Sequence, residues 1–260
     1  MKVTKVETHL AAQYTFVKIL TDEGLYGVGE VHPASGTGGT SFTVRGAIEY
    51  CAEYLIGKNP LEIERHWQHM FRRCLFRGGS DAMAAIGGID MALWDIAGKV
   101  AGLPVHRLLG GPTRDRVRVY VGPHSVHNDG ETPEALAENC LARVEEGYTA
   151  VRFYPFGPFG ESIVPSYQSL VRTSVSFVEA AREAVGPDID VMIDVFNRLT
   201  PPEAIAIGRA LEPCGLFFFE DPIESDNIDA MAYVAANMPV PVATGERLYT
   251  IYQFRELFNK

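Results

Sequence analysis

The chain has 260 residues, 47% of them hydrophobic and 22% charged, a balance ordinary for a globular protein and long enough for one barrel or two smaller domains. Its formal charge of -10 argues against the clustered basic surface that non-specific nucleic-acid binding requires. MKVTKVETHL carries no apolar signal core, no run approaches the roughly 18 apolar residues of a membrane helix, and Cys51, Cys74, Cys140 and Cys214 are scattered without a CxxC pair, so a soluble, cytoplasmic protein with reduced thiols and no zinc site is expected.

In chain order, VTKVETHL, TFVKILTD and GLYGVGEV alternate apolar and polar residues, with a turn at Asp22, Glu23 and Gly24, which predicts an antiparallel meander. HPASGTGGTS (residues 32–41) is rich in Gly and Ser. It lacks the Gly-Lys-Ser/Thr ending of a phosphate cradle, so a lid or a linker is the better reading. Apolar residues at three- and four-residue spacing then predict helices over TVRGAIEYCAEYLIG, over PLEIERHWQHMFRRCLF with Pro60 in its first turn, and over SDAMAAIGGIDMALWDIAGKVAG, stopped by Gly102 and Pro104. Residues 1–112 thus read as a separate α+β capping domain.

From residue 113 the rhythm changes. RVRVYVGPHS reads as a strand, PEALAENCLARVEEG as a helix, YTAVRFYPF as a strand and SYQSLVRTSVSFVEAAREAVG as a helix. IDVMIDVF, PPEAIAIGRALEP, GLFFFEDP, IDAMAYVAANM, VPVATGE and IYQFRELF continue the alternation to residue 260. Strand-helix repeats predict parallel βαβ units carried round by right-handed crossovers, so 113–260 reads as a (β/α) TIM-type barrel, incomplete at five units.

Three of these strand segments run into an acid: Asp194 after VMI, Glu220 after LFFF and Glu246 after PVATG, at a uniform spacing of 26 residues. Equal spacing predicts equivalent positions on successive parallel strands, hence one rim. Three carboxylates with no Cys or His among them suit a hard cation, Mg²⁺ rather than Zn²⁺. The alternative for each acid alone is a helix cap or a solvated strand end.

The capping segment, the stretch GGIDMALWDIAGKVAGLPVHRLLGG at 87–111, and Asp194, Glu220 in FFFEDP and Glu246 in ATGE together resemble the enolase superfamily, and within it the mandelate racemase subgroup, rich in acid-sugar dehydratases. The resemblance implies Mg²⁺ held by Asp194, Glu220 and Glu246, abstraction of the proton alpha to a carboxylate through a metal-stabilised enediolate, and a small-molecule sugar acid, aldonate or aldarate, as substrate. It also implies a homo-oligomer and a 32–41 lid over the barrel mouth. Because that barrel has eight strands, the resemblance marks the chain as a truncated part of a longer enzyme, with further acid-base residues beyond residue 260.

The acid and the base depart from the subgroup's pattern. Where many members place Lys-x-Lys at the end of the second barrel strand, this chain has Arg152-Phe153-Tyr154. Arginine stays protonated at neutral pH. Alternation puts Arg152 and Tyr154 on one face, so Tyr154 is either an Arg-assisted base or a barrel-filling aromatic. Mannonate-dehydratase-type relatives pair an arginine here with a tyrosine from the following loop, which adds Tyr167. Two residues after Asp194, where sugar-acid dehydratases often carry a histidine acid, stands Phe196, which cannot donate a proton. Asn197 and Arg198 are candidates to orient substrate or to cap the next helix. Asp221 and Arg247, each beside a metal ligand, read as outer residues that hold the carboxylates. His124, just past the first strand, is either a rim catalyst or a structural histidine. Three functions stay open: a dehydratase, a racemase or epimerase by the same intermediate, and a non-catalytic metal-binding member.

Overall fold

The computed structural model describes residues 1–11, 14–31, 40–73, 79–123, 132–156 and 166–260. The chain divides into two compact units, Met1–Asp115 and Arg116–Lys260.

In the first unit, β1 (Val3–Ala11), β2 (Tyr14–Thr21) and β3 (Tyr26–Val31) form the antiparallel meander. Alternation in β2 buries Thr15, Val17, Ile19 and Thr21, and the β2–β3 turn closes with Thr21 N donating to Leu25 O at 3.0 Å. Helices α1 (Thr40–Leu55), α2 (Ile63–Arg72) and α3 (Gly79–Ala101) follow, then a single turn, α4 (Val105–Leu108). The second helix begins three residues after Pro60. Asn59 Oδ1 accepts from Leu61 N at 3.2 Å, and this local turn replaces the helical start expected at Pro60. Helix α3 lies almost in backbone contact with β3: a Cβ on Gly29 would stand 1.9 Å from Gly88 O, and one on Gly27 1.9 Å from Ala92 O. The Gly-Val-Gly of β3 therefore exists for close approach. Val17, Ile19, Val31, Ile48, Leu55, Ile89, Leu93 and Ile96 fill the core between meander and helices.

In the second unit four parallel strands stand in the order β4 (Ala150–Phe153), β5 (Asp190–Asp194), β6 (Phe218–Glu220), β7 (Val242–Ala243). Helices α5 (Pro133–Glu145), α6 (Tyr167–Val185), α7 (Pro201–Ala210), α8 (Ile228–Asn237) and α9 (Ile251–Phe258) alternate with them. Side-chain caps set their starts: Ser166 accepts from Ser169 N, Asn227 from Ala230 N, and Glu203 Oε2 accepts from both Thr200 N and Thr200 Oγ1 at 2.7 Å. Val151, Phe153, Val191, Ile193 and Phe219 from the strands meet Leu136, Phe177, Val178, Ala204 and Ile207 from the helices in one core. Burial on both faces is why these strands read as continuous apolar runs.

The strand expected over 116–125, of which 116–123 are described, shows one bridge, Val121 to Val151. Val121 N donates to Ala150 O and Arg152 N to Val121 O. No strand lies on the other side of this segment among the described residues, and Val117, Val119 and Tyr120 are exposed, so a single partner holds only one residue in ladder geometry. Among the described residues no helix is long and apolar enough to cross a membrane. Cys51, Cys140 and Cys214 are buried and form no disulfide among the described residues; Cys74 lies outside the described residues.

Candidate metal and acid-base site

The C-terminal ends of β4, β5 and β6 assemble the site. Asp194 and Glu220 are register partners, each the last residue of its strand. The 26-residue interval thus has the expected meaning for this pair. For the next interval it does not: Glu220 pairs with Ala243, and Glu246 lies three residues beyond. Strand β7 is only two residues long, and the chain leaves it through Thr244 and Gly245, the latter at φ +131°. Equal spacing in sequence therefore conceals a shift in register.

Asp194 is 1% exposed. Its Oδ1 accepts from Phe196 N at 2.9 Å, and its Oδ2 accepts from Arg152 Nη2. Arg152 Nε donates to Glu220 Oε2 at 2.6 Å, so one guanidinium bridges both strand-end acids. The same guanidinium lies 5.7 Å from the ring centroids of Tyr120 and Phe196. These aromatic walls shed water around the ion pairs and strengthen them.

Glu246 belongs electrostatically to the same group. Burial, then the charges of Asp221 and Glu220, push its carboxyl above the usual glutamate range, while Arg247 and Arg152 pull it back. Asp221 is 1% exposed, and neither carboxylate oxygen has a hydrogen-bond partner among the described residues. It therefore does not hold the ligand carboxylates by hydrogen bonds, contrary to expectation. Arg247 does not hold them either. Its Nη1 donates to Glu224 Oε2 at 3.1 Å and its Nη2 to Phe196 O at 3.4 Å.

Asn197, a candidate to orient substrate or to cap the next helix, is buried and hydrogen-bonded within the fold. With its amide nitrogen toward Ile223 O (2.8 Å), its oxygen accepts from Arg247 Nε (2.8 Å) and Nη2 (3.2 Å). Phe196, Asn197 and Asp221 have φ of +50°, +63° and +41°, the only positive values on non-glycine residues among those described. Left-handed backbone at all three, beside Asp194 and Glu220, concentrates strain where the acids are aimed, a pattern found at functional sites.

Tyr154 lies just past β4, but its cationic partner is Arg198 rather than Arg152. Arg198 Nη1 donates to Tyr154 Oη at 3.5 Å, whereas Arg152 is taken up by the two acids. Burial pushes the Tyr154 phenol above its usual value and Arg198 offsets this only in part. Tyr167, the first residue of α6, is 48% exposed and shares with Tyr154, Arg198, Leu170, Leu199 and Glu203 a cavity of about 250 Å³. His124 and residues 32–39 of the lid segment lie outside the described residues. Glu224 and Tyr120 were not foreseen; strand alternation in RVRVYV and the acid in DPIES carried no distinguishing signal.

Among the described residues no three acidic, His or Cys side chains are grouped tightly enough to hold one ion. The donor chemistry nonetheless fits a hard divalent cation: two in-register carboxylates, a third coupled by charge to Glu220, and a buried carboxylate whose oxygens have no hydrogen-bond partner among the described residues.

Comparisons with known proteins bear on the family and the fold. Residues 2–110 match the mandelate racemase/muconate lactonizing enzyme N-terminal domain, and residues 135–260 the enolase C-terminal domain-like family. The chain is 36% identical over its whole length to a D-galactonate dehydratase of Variovorax paradoxus, spanning 65% of that relative. It is 35% identical to the D-galactonate dehydratase family member RspA of Halomonas elongata, spanning 68%. A crystal structure of an enolase superfamily member from Salmonella Typhimurium superposes with a TM-score of 0.91 at 32% identity, covering 99% of this chain and 70% of that one. With both domain families matched in order and the parallel sheet carrying paired strand-end acids, the chain belongs to the enolase superfamily, in its mandelate racemase/muconate lactonizing enzyme family.

Proposed function

We propose that the protein is a dehydratase of a sugar acid, an aldonate or aldarate, working at a Mg²⁺ site held by Asp194, Glu220 and Glu246. The observation that carries the reading is the register pairing of Asp194 and Glu220 at the strand ends. The names of the relatives support the substrate class.

A proton beside a carboxylate is barely acidic, because its loss adds a second negative charge. A bound divalent cation supplies the stabilisation of that charge. This chain's residues supply the rest. Arg152 stays charged at neutral pH, so it orients a carboxylate or lowers the pKa of a neighbour rather than taking the proton. Tyr154, with a raised phenol, stays protonated at neutral pH. It therefore suits donation to a departing hydroxyl better than abstraction, and it replaces the proton donor that Phe196 cannot be. Asn197 and Arg247 position the Phe196–Asn197 turn that fixes Asp194. In the overall change the proton alpha to the carboxylate and the neighbouring hydroxyl leave as water, and the resulting enol ketonises to a 2-keto-3-deoxy acid.

The test is incubation with D-galactonate and a panel of aldonates and aldarates in Mg²⁺, with carbonyl derivatisation of the product. A keto acid that disappears with EDTA and with Asp194→Asn is expected. Deuterium entering recovered substrate with no loss of hydroxyl would instead establish a racemase or epimerase. A second reading, a binding protein that keeps the acids without turnover, draws on one observation, the commitment of Arg152 to Asp194 and Glu220 beside Phe196. Substrate binding without any proton exchange would establish it.

A further inference from the structure

The guanidinium of Arg152 joins the two strand-end acids directly. Asp194 and Glu220 are register partners on β5 and β6, and Arg152 reaches both from the adjacent strand β4. Its Nη2 donates to Asp194 Oδ2 and its Nε to Glu220 Oε2 at 2.6 Å. The side chains of Arg152, Asp194 and Glu220 are 23%, 1% and 18% exposed, so both pairs form largely out of water.

This placement competes with a divalent cation for the same oxygens. Asp194 Oδ1 accepts from Phe196 N at 2.9 Å, within a left-handed turn that Asn197 N fastens to Asp221 O at 2.8 Å. Backbone therefore fixes Oδ1, whereas Oδ2 is held only by a side chain with rotatable bonds. Oδ2 is thus the Asp194 oxygen available to a cation, and it is the one Arg152 takes. Two positive groups on shared carboxylate oxygens repel each other. The repulsion is strong here, because burial and the rings of Tyr120 and Phe196, 5.7 Å from the guanidinium, lower the local dielectric. Arginine does not lose its charge at neutral pH, so Arg152 yields the oxygens only by moving.

We propose that Arg152 is a displaceable internal counter-ion of the cation site. Without a divalent ion it pairs with Asp194 and Glu220 and holds the two acids together. It gives up both carboxylates when the ion binds, which leaves its guanidinium charged, beside the site, and open to the carboxylate of a substrate. The inference rests on the cation site of the proposed function and adds an order of events to it, the ion first and the anion-binding arginine second. The commitment of Arg152 to the two acids is then a property of the ion-free state.

The experiment measures Mn²⁺ binding, by calorimetry and by the EPR signal of free Mn²⁺, for the wild type, Arg152→Met and Arg152→Lys. Methionine removes the competitor. Lysine keeps the charge but lacks the planar fork that holds two carboxylates at once. Arg152→Met is expected to bind Mn²⁺ roughly tenfold tighter than the wild type or more, because the ion no longer displaces an occupant, and Arg152→Lys to lie between the two. NMR of wild type carrying isotope-labelled arginine, titrated with Mg²⁺, reads the exchange even where Arg152→Met fails to fold. The Arg152 Nε–H signal, assigned by its absence from Arg152→Lys, is expected to shift and to lose protection from solvent exchange at saturation. Wild-type Mn²⁺ binding that Arg152→Met only equals or weakens would overturn this inference alone, as would an Nε–H signal unchanged at saturation. Arg152→Lys binding like the wild type beside a tighter Arg152→Met would do the same, by showing that charge matters and occupancy does not. Absence of Mn²⁺ binding by both the wild type and Arg152→Met would overturn the cation site itself, and this inference with it.

Discussion

Arg152 donates through Nη2 to Asp194, an acid at 1% exposure, and through Nε to Glu220, so a single guanidinium pairs with two strand-end acids at once. Removing one partner of a buried ion pair leaves the other unpaired, at about 3–5 kcal/mol. Arg152→Met should therefore lower the unfolding free energy in EDTA by about 3 kcal/mol. Urea unfolding with and without Mg²⁺ checks this, since a bound cation replaces the lost charge and should recover much of the deficit. A variant as stable as the wild type in EDTA would show that the pairs contribute nothing net.

The Tyr154 phenol should ionise above the ordinary tyrosine range, because burial outweighs the pull of Arg198. Its neutral form is the one the fold favours. The associated stability is therefore fully present below the unfolded tyrosine pKa of about 10 and is lost as pH rises through the higher folded value. Ultraviolet difference titration of the wild type against Tyr154→Phe isolates this residue. Arg198→Met should move the ionisation further up; a downward movement would exclude the Arg198 contact as its electrostatic partner.

Two glycines separate close approach from backbone freedom. Gly29→Ala places a Cβ 1.9 Å from Gly88 O, which only a shift of β3 or α3 relieves, and should cost about 3 kcal/mol or more. Gly24→Ala meets no atom within 4 Å but sits at φ +80°, and should cost about 1–2 kcal/mol. Equal losses in denaturant titration would contradict the tight seat of α3 on the meander.

Arg182 ties the end of α6 to the two loops that follow. It donates to the carbonyls of Gly186, Ile189, Cys214 and Gly215 at 2.6–3.1 Å. Lysine cannot reproduce a planar fork with donors in fixed directions. Arg182→Lys should lower stability by about 2 kcal/mol while leaving Mn²⁺ affinity unchanged, because these contacts lie at the opposite end of β5 from Asp194. Loss of metal binding in a folded Arg182→Lys protein would refute that separation.

Periodicity made most elements legible. The alternation of TFVKILT and the apolar runs VMID and LFFFE needed only one neighbour relationship each, inward or outward, to be read as β2, β5 and β6. The strand expected over 116–125 was not legible in the same way, because RVRVYV has the right pattern but pairing requires a partner strand, a property of the assembled sheet. The same limit applied to the site. Acids at 194 and 220 were readable as a register pair because both end a strand after a full βα unit. Glu246 was misplaced by three positions because spacing counts loop residues as well as strand residues.

By itself, then, the sequence determined the alternation of strands and helices, the order of the two domains, the chemistry available at the strand ends and the family that carries it. These follow from local periodicity, caps and motif residues, which act within a few positions of one another. Only the tertiary structure decided that Arg152 bridges Asp194 and Glu220, that Arg198 rather than Arg152 faces Tyr154, that Asn197 is consumed by Arg247 and Ile223, and that Asp221 is buried without a hydrogen-bond partner for its carboxylate among the described residues. Each of these depends on which side chains meet across strands 20 to 70 residues apart, and long flexible side chains such as arginine choose among several carboxylates only once the sheet has set the distances.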